Sequence, residues 1–390
     1  MRPLVGKRIL DLSRLLPGPF ATLVLADLGA TVDKIEDLAG GDYLRHMPPA
    51  LAGESAAFQL LNRGKRSALL DLKRPEGRAA FERLVGSYDV LFEQFRPGVL
   101  DRLGLGHDVL RRKFPKLVIC ALTGYGQDGP LKNRAGHDID YLARGGLLGS
   151  QGPEDGPPQP PGFQLADVSG GMWSVIAILA ALAERDRTGE GRVLDISMTD
   201  GILGFATATI GAALAGETRP RGTDALVGGI APYGTYVSKD GHPFALGALE
   251  PKFWMSFCAA AGIEPRMEAL LPGPHQAEIK ATVQSAFAQK TRDEWIAIAA
   301  SHDCCLEPVV RPNELRDDPL MKARELFFDI PSPRGDIPQV RLPVTPKDVA
   351  FAPPPRSGEH TRVVFREAGF SDAEIDDLVR AGAIREGESS

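Results

Sequence analysis

Residues 8–36 read RILDLSRLLPGPFATLVLADLGATVDKIE and contain the pattern that decides the fold. Arg8–Leu12 is an apolar run typical of a strand, and after a Pro-Gly-Pro turn Phe20–Leu28 has helical apolar spacing. Gly29 stands where a helix C-cap falls, and Thr31–Ile35 is typical of a second strand. Strand, turn, helix and strand make one βαβ unit, which predicts a parallel sheet with ligands at the strand ends.

The same alternation continues along the first half of the chain. Further strand-like runs are Ser67–Leu70, Val90–Phe92 and Leu117–Leu122, and Pro75–Val85 has helical spacing. Glu36 closes the second strand as an acidic residue does in dinucleotide-binding folds, but the first turn lacks the Gly-x-Gly-x-x-Gly that approaches a pyrophosphate. We therefore predict an α/β fold with a Rossmann-like parallel sheet and disfavour NAD binding.

The second half of the chain changes in character. A loop rich in Gly and Pro spans residues 149–161, and an apolar helix is predicted over Gly170–Arg185. Beyond Arg221, a hairpin pattern around Asp240 indicates a smaller α+β domain. The predicted organisation is a large α/β domain over residues 1–200, completed by 335–390, a linker helix at 201–224, and the small domain at 225–334.

Composition limits the class of protein. The chain has 390 residues, a net charge of −6, 43% hydrophobic and 25% charged residues, which is typical of a globular protein and argues against general nucleic-acid binding. The four cysteines lack disulfide or metal spacing, which favours a reducing cytoplasm. The most apolar stretch, Met172–Leu182, is interrupted by Ser174, and we expect a buried helix rather than a membrane span.

Three clusters carry groups able to move protons. His137 follows a glycine-rich turn, Asp167 precedes the apolar helix, and Glu250 stands before Pro251 in the small domain. Each also has an ordinary structural explanation as a surface histidine, a helix cap or a helix start. No metal-ligand spacing accompanies His137, and no Gly-x-Ser-x-Gly motif supplies a hydrolase nucleophile. Taken singly, none of the three specifies a function.

Several longer segments together resemble a known family. They are residues 4–12 with the following Pro-Gly-Pro, 26–32, 62–67 with 70–73, 94–98 with 101–104, 188–191 and 358–361. Through them the chain resembles the family III CoA-transferases of the CaiB/BaiF type over nearly its whole length. The resemblance implies a large coenzyme-A-binding domain, a smaller α+β domain, and a homodimer whose two subunits interlock.

The branch of the family follows from three positions. His137 and Glu250 match the α-methylacyl-CoA racemases, because transferases generally have another residue at the position of His137. Asp167 is common to both branches, as the nucleophile of transferases and an acid-base group of racemases. The resemblance thus implies a cofactor-independent racemase that inverts the α-methyl centre of 2-methylacyl-CoA thioesters. The alternatives are a CoA-transferase working through an Asp167 acyl anhydride and aspartyl-CoA thioester, and a non-catalytic acyl-CoA binder.

The resemblance also implies roles for individual residues. His137 and Asp167 would exchange the α-proton on opposite faces, Glu250 would orient the imidazole, and amides at the helix start near Asp167 would stabilise the enolate. Coenzyme A, as part of the substrate, would contact Leu70, Asp71, Leu72, Lys73, Gln94, Phe95, Arg96, Arg102, Gly136, Asp138, Ile139, Asp140 and Tyr141. No further cofactor and no metal is expected.

One position departs from the family. Asp37 stands where an arginine usually lies near the adenine and phosphate of the coenzyme. Arg45 and Lys34 are the nearest basic residues in the sequence that could replace it.

Overall fold

The computed structural model describes residues 1–387 and divides the chain into two compact units. The first comprises Met1–Gly145, Phe163–Phe205 and the described part of Pro319–Ser390, and the second comprises Gly146–Gly162 and Ala206–Asp318. The domain boundaries expected from the sequence stay a prediction.

Strands and helices follow one another as the sequence pattern suggests. The strands are β1 Arg8–Asp11, β2 Thr31–Glu36, β3 Ala50–Leu51, β4 Glu54–Ser55, β5 Arg66–Leu70, β6 Val90–Glu93, β7 Val118–Thr123, β8 Val193–Ser197, β9 Tyr233–Val237, β10 Pro243–Gly247, β11 Leu306–Pro308, β12 Phe327–Ile330, β13 Ile337–Val340 and β14 Ile384–Arg385. The helices are α1 Pro17–Asp27, α2 Ala56–Leu61, α3 Pro75–Val85, α4 Val99–Arg102, α5 His107–Lys113, α6 Asp138–Arg144, α7 Leu147–Ser150, α8 Leu165–Thr188, α9 Met198–Leu203, α10 Thr207–Leu214, α11 Pro251–Ala261, α12 Gln276–Phe287, α13 Arg292–Ser301, α14 Pro319–Ala323, α15 Thr361–Glu367 and α16 Asp372–Arg380.

A seven-stranded sheet in the order β14-β5-β2-β1-β6-β7-β8 forms the centre of the first unit. All neighbours are parallel except β14, which runs antiparallel to β5. The predicted α/β class with a large parallel sheet is confirmed. The strand order reverses between β1 and β6, and the carboxyl ends of strands at such a reversal border a crevice where α/β folds bind ligands.

The first βαβ unit forms because its apolar residues follow the strand period in β1 and β2 and the helix period in α1. Ile9 and Leu10 of β1 are fully buried, and Arg8 pairs with Thr31 of β2. The helix begins at Pro17, before the predicted Phe20, since proline suits the first turn of a helix, where its missing N–H is not needed. Strands β6 and β7 are buried throughout, as central parallel strands covered on both faces require.

Helix α8 is the longest helix of the described residues and begins at Leu165, five residues before the predicted start. Its length and composition would allow it to cross a membrane, but half of its most apolar window is buried against the rest of the chain. A helix buried in the core of a folded unit can have the same length and composition. The earlier start places Asp167 in the first turn of α8.

The end of the chain returns to the sheet. Ile384 of β14 pairs with Leu70 of β5, and the Thr361 hydroxyl at the start of α15 accepts the Leu69 N–H at 3.1 Å. This return agrees with the expectation that the end of the chain completes the large domain, but the added antiparallel strand was not predicted.

The second unit contains the expected hairpin. Strands β9 and β10 pair antiparallel with Ala245 opposite Thr235, and β11 adds to β10. The core of this unit is aromatic, with Trp254 and Phe257 of α11 and Trp295 of α13 fully buried. The linker helix expected at 201–224 is not continuous, because α9 ends at Leu203 and α10 spans only Thr207–Leu214.

Candidate active site

A first cavity of about 380 Å³ lies at the carboxyl edge of the parallel sheet. It opens where β1, β2, β5 and β6 end, across the reversal in strand order. Its lining residues are Leu12, Ser13, Arg14, Ile35, Glu36, Asp37, Gly41, Asp42, Leu70, Leu72, Lys73, Phe95, Val99 and Leu103. The predicted coenzyme contacts Leu70, Leu72, Lys73 and Phe95 therefore meet in one place.

The charged groups beneath this cavity are already paired. Arg45 donates to Glu36 through Nε at 2.9 Å and Nη2 at 2.6 Å. Lys34 Nζ lies 3.0 Å from Asp42 and donates to the Ser13 carbonyl at 2.6 Å. Arg45 and Lys34 are buried and occupied, so neither replaces the arginine that the family usually has at the position of Asp37.

At the rim of the first cavity, Lys73 Nζ lies 3.4 Å from Asp37 Oδ2. Both side chains are exposed, and Arg14, which the sequence interpretation missed, lines the same cavity. Arg14 follows the end of β1 by three residues, a position from which side chains of parallel sheets commonly reach ligands. Lys73 and Arg14 are thus the cations available to an anionic ligand in this cavity.

A second cavity of about 340 Å³ adjoins the first, because Phe95 lines both. Its lining residues are Gln94, Phe95, Arg96, Pro97, Leu122, Thr123, Gly124, Tyr125, Lys132, Arg134, Ala135, Gly136, His137, Asp140, Tyr141 and Met198. It brings together predicted residues from two separate sequence segments, 94–96 and 136–141. It also adds Tyr125, Lys132 and Arg134, which lie in the loop after β7 and carried no motif of their own.

His137 occupies the N-cap position of α6 and is exposed. Its backbone N–H donates to the Asp140 carboxylate at 2.9 Å, which fixes the start of the helix. The neighbouring Gly136 is needed for space, since a Cβ there would lie 2.7 Å from the Tyr141 ring. Tyr141 in turn donates its hydroxyl to the Gly136 carbonyl at 2.5 Å. The imidazole is thereby presented toward the second cavity from a rigid turn.

Asp167 and Asp138 form a pair of carboxyl groups between α8 and α6. The Asp167 backbone N–H donates to Asp138 Oδ1 at 3.0 Å, so the residue next to His137 holds the first turn of α8. Burial, and then the charge of Asp138, raise the pKa of the Asp167 carboxyl to about 7. A helix start ordinarily lowers the pKa of a carboxyl, and here burial outweighs that effect.

Tyr141 completes the surroundings of Asp167. Burial raises the pKa of the Tyr141 phenol, followed by the charges of Asp167, Tyr125 and Asp140, while Arg96 acts in the opposite direction. Tyr141 also meets Tyr125 edge to face, with ring centroids 5.1 Å apart. The phenol is therefore held neutral beside the carboxyl pair.

The backbone amides at the start of α8 were expected to stabilise an enolate, and the structure gives them other partners. The Leu165 amide donates to the Phe163 carbonyl at 3.1 Å, the Val168 amide to Gln164 at 3.0 Å, and the Asp167 amide to Asp138. These three amides already have partners within the chain. Carbonyl groups of the turn before the helix, together with Asp138, accept hydrogen bonds from amides that the sequence analysis expected to face an enolate.

Six predicted residues lie outside both cavity walls, and two of them are the Asp138 and Asp167 described above. Asp71 accepts the Lys73 N–H at 2.8 Å and so supports the turn before α3. Arg102 is exposed near Gly98 at the end of α4, between the lining residues Val99 and Leu103. The other two are Ile139, exposed on α6, and Glu250, exposed at the N-cap of α11 in the second unit.

Comparison with known proteins shows the family to which the chain belongs. Residues 4–361 match the sequence pattern of CoA-transferase family III. The chain belongs to this family. It is 38% identical to alpha-methylacyl-CoA racemase of Mus musculus over 379 residues, covering 95% of this chain and 94% of that protein. It is 31% identical to succinyl-CoA:glutarate CoA-transferase of Mus musculus over 402 aligned positions, covering 100% of this chain and 92% of that protein.

The fold agrees as well. The crystal structure of a CAIB/BAIF family protein from Brucella suis superposes with a TM-score of 0.81 at 31% identity, covering 94% of this chain and 99% of that chain. The resemblance inferred from the sequence is confirmed. The chain is a family III enzyme, and its relatives include both racemases and CoA-transferases.

Proposed function

We propose that this family III enzyme is a cofactor-independent racemase of 2-methylacyl-CoA thioesters. The observation that carries the proposal is the Asp167 carboxyl, whose pKa is raised to about 7 by burial and by Asp138. A group that titrates near neutrality can give up and take back a proton with similar ease. Racemisation needs such groups, because each one serves as base for one enantiomer and as acid for the other.

The chemistry would proceed through an enolate. A neutral His137 imidazole removes the α-proton of one enantiomer, and the electron pair of the C–H bond passes to the thioester carbonyl as an enolate forms. Protonated Asp167 then delivers its proton to the opposite face of the carbon, which leaves the inverted centre. In the reverse direction the Asp167 carboxylate is the base and the imidazolium is the acid. Every proton is accounted for by these two groups, so the proposal assigns no additional cofactor.

The coenzyme would extend across both cavities. His137 and Tyr141 line the second cavity, which suits the thioester, while the first cavity lies over the strand ends and suits the nucleotide. Lys73 and Arg14 line the first cavity and Arg96 lines the second, so phosphates would meet cations in either place.

A CoA-transferase is the alternative, since transferases are among the relatives. Its mechanism needs Asp167 as an ionised nucleophile that attacks the thioester carbonyl. A carboxyl with a pKa near 7 is partly protonated at neutral pH, and protonation removes its nucleophilicity. The raised pKa therefore favours proton transfer over acyl transfer.

We further propose that the enzyme is a homodimer with interlocked subunits. Helix α8 exposes Met172, Trp173 and Ile176, whose accessible fractions of 46%, 40% and 52% are large for apolar side chains on one helix. A second copy of the chain would cover this face and would complete a site in which Glu250 orients His137. Light scattering that gave the mass of one chain would contradict the dimer.

Exchange of the α-hydrogen in heavy water tests the racemase directly. A single enantiomer of a 2-methylacyl-CoA should lose its α-proton to solvent and racemise without any acceptor acid. His137→Ala should abolish inversion in both directions and α-exchange of the enantiomer that His137 deprotonates, while Asp167 still exchanges the other enantiomer. Asp167→Asn should slow inversion by about 10²–10⁴-fold, the usual contribution of one acid-base group, and retain exchange from the enantiomer deprotonated by His137.

The transferase makes the opposite prediction. Acyl-CoA alone would leave a covalent Asp167 adduct that hydroxylamine traps, and no α-exchange would occur. Trapping that adduct on the productive route would overturn the racemase. A chain that binds acyl-CoA with neither exchange nor adduct would instead be a binding protein.

A further inference from the structure

The wall shared by the two cavities is a short loop between β6 and α4. Gln94, Phe95, Arg96 and Pro97 line the second cavity, and Phe95 lines the first as well. Any shift of this loop alters both cavities at once. Whatever fixes the Phe95 backbone therefore fixes the junction between them.

Two hydrogen bonds anchor this loop. The Phe95 N–H donates to Glu93 Oε2 at 2.7 Å, and the Gly18 N–H at the start of α1 donates to Gln94 Oε1 at 3.2 Å. Glu93 is the last residue of the buried strand β6, and only 3% of its side chain is exposed. A carboxylate at that depth is costly unless a second partner compensates its charge.

His107 supplies the second partner. Its Nε2 lies 3.0 Å from Glu93 Oε1, and 21% of its side chain is exposed. The two oxygens of Glu93 are thus divided, one holding the Phe95 backbone and the other meeting the imidazole. The imidazole reaches this place because the chain passes close to α4 at Gly106, where a Cβ would lie 2.1 Å from Asp101 Oδ1.

Carboxylates surround His107. The bond to Glu93 is the main cause of a pKa raised above the ordinary value of histidine, and the charges of Asp101 and Asp108 act in the same direction against burial. Asp195, in the middle of β8, also interacts with the His107 charge. These groups favour the imidazolium, and with it an ion pair between His107 and Glu93.

We infer that His107 is a positioning residue for coenzyme binding, because through Glu93 it holds Phe95 as the junction of the two cavities. The inference rests on the proposed binding of a CoA thioester in these cavities. It does not depend on the chemistry at Asp167, and it applies to a racemase and a transferase alike.

The ion pair gives the role a pH signature. As pH rises through the raised pKa, His107 loses its proton and the pair keeps a hydrogen bond without the charge. Coenzyme affinity should weaken over that range. His107→Gln keeps a donor toward Glu93 and does not titrate, whereas His107→Ala removes both the donor and the charge.

Titration calorimetry with free coenzyme A tests this at about pH 6 and about pH 8.5, on either side of the ordinary histidine range. His107→Ala should weaken binding about 5–30-fold at the lower pH, as expected for loss of one charged hydrogen bond at a buried group. His107→Gln should restore most of the affinity. Its affinity should change less with pH than that of the wild type. Because the coenzyme and Asp167 titrate alike in both proteins, the comparison removes their contribution to the pH dependence. The turnover number at saturating thioester should change less than about twofold, so that the effect falls on KM.

His302→Gln, at an exposed histidine of the second unit, is the matched control and should keep the wild-type profile. Wild-type protein that binds no coenzyme would overturn the proposed function itself. Wild-type binding with an equal affinity and pH profile in both His107 variants would overturn the role of His107 alone. If His107→Ala does not fold, the pH profile of His107→Gln decides: a wild-type profile rejects the inference, and a flattened one supports it.

Discussion

Glu36 and Asp167 are two carboxyl groups of the first unit that respond to burial in opposite ways. Burial opposes ionisation at both. At Glu36 the hydrogen bonds and charge of Arg45, followed by Lys34 and Ser67, outweigh burial and lower the pKa to about 2. At Asp167 the nearest charged group is a second carboxylate, Asp138, which adds to burial and raises the pKa to about 7.

The difference shows that the partner, rather than depth, decides what a buried carboxyl does. Glu36 stays ionised at every physiological pH and serves the structure by joining β2 to Arg45 and to Ser67 of β5. Among the described residues no cation compensates Asp167, and its pKa is raised to about 7. One unit thus contains a carboxylate with a structural role beneath the first cavity and a carboxyl with a raised pKa near the second, as groups at functional sites often have.

Breaking the structural pair should have the largest effect. Glu36→Gln removes the buried carboxylate from Arg45 and leaves Glu54, which is 17% exposed, as its ionic partner. We expect the free energy of unfolding to fall by up to about 3–5 kcal/mol, the range for breaking a buried pair. The Glu36 pKa is lowered from 4.5 to about 2, so its contribution is complete above about 4.5 and is lost as pH falls toward 2. Chemical denaturation at neutral and acidic pH measures both quantities.

Glu367→Gln provides the matched control for this variant. Glu367 also accepts two bonds from an arginine, Arg66, but 45% of its side chain is exposed. The expected loss is below about 1 kcal/mol, because solvent screens exposed ion pairs. Equal losses in the two variants would show that burial adds nothing to the Glu36 pair.

Replacing the Asp167 carboxyl should change the free energy of unfolding in the opposite direction. Its pKa is raised from 3.8 to about 7, so ionisation of Asp167 destabilises the folded chain progressively between these values and fully above about 7. Asp167→Asn should therefore stabilise the fold by about 1–3 kcal/mol near pH 8, a value below the full linkage because the site is partly solvated. The gain should shrink as pH falls toward 4.

Thermal unfolding across that pH range measures this gain. Asp128→Asn, an exposed carboxyl in the loop after β7, should leave the melting temperature nearly unchanged at each pH. An Asp167→Asn variant that is less stable than wild type at pH 8 would mean that the ionised carboxylate is well compensated. That result would also remove the main support for its role in proton transfer.

Much of the fold follows from local sequence pattern. The helix Pro75–Val85 has the predicted bounds, and Val90–Glu93 extends the predicted strand by one residue. These elements have uniform periodicity and clear turn residues, so propensity and packing agree. The sequence did not predict β14, because a two-residue strand is specified by its partner β5 and not by its own pattern.

The site was predictable only in part, for a related reason. His137 and Asp167 came from the family resemblance, and the structure places them on the adjoining helices α6 and α8. Asp138 was expected to contact the coenzyme, yet its closeness to Asp167 depends on how α6 meets α8. Lys34 and Arg45 looked available for phosphate because sequence spacing does not reveal their buried partners.

The exposed carboxylate Asp37 adds a third case to the comparison and should give the smallest effect. Its partner Lys73 is 77% exposed, so solvent screens the pair, and both groups line the first cavity. An anionic ligand must compete with Asp37 for Lys73. Asp37→Asn should then tighten coenzyme A binding by up to about fivefold, within the range of about 1 kcal/mol for exposed pairs.

The gain should fade at high salt, where the Debye length becomes shorter than the separation of exposed charges. Calorimetry at two salt concentrations measures it, with Asp128→Asn as the control for net charge. Weaker binding by Asp37→Asn would reverse the interpretation, because the carboxylate would then accept a hydrogen bond from the ligand, as acidic residues at strand ends do from ribose hydroxyls.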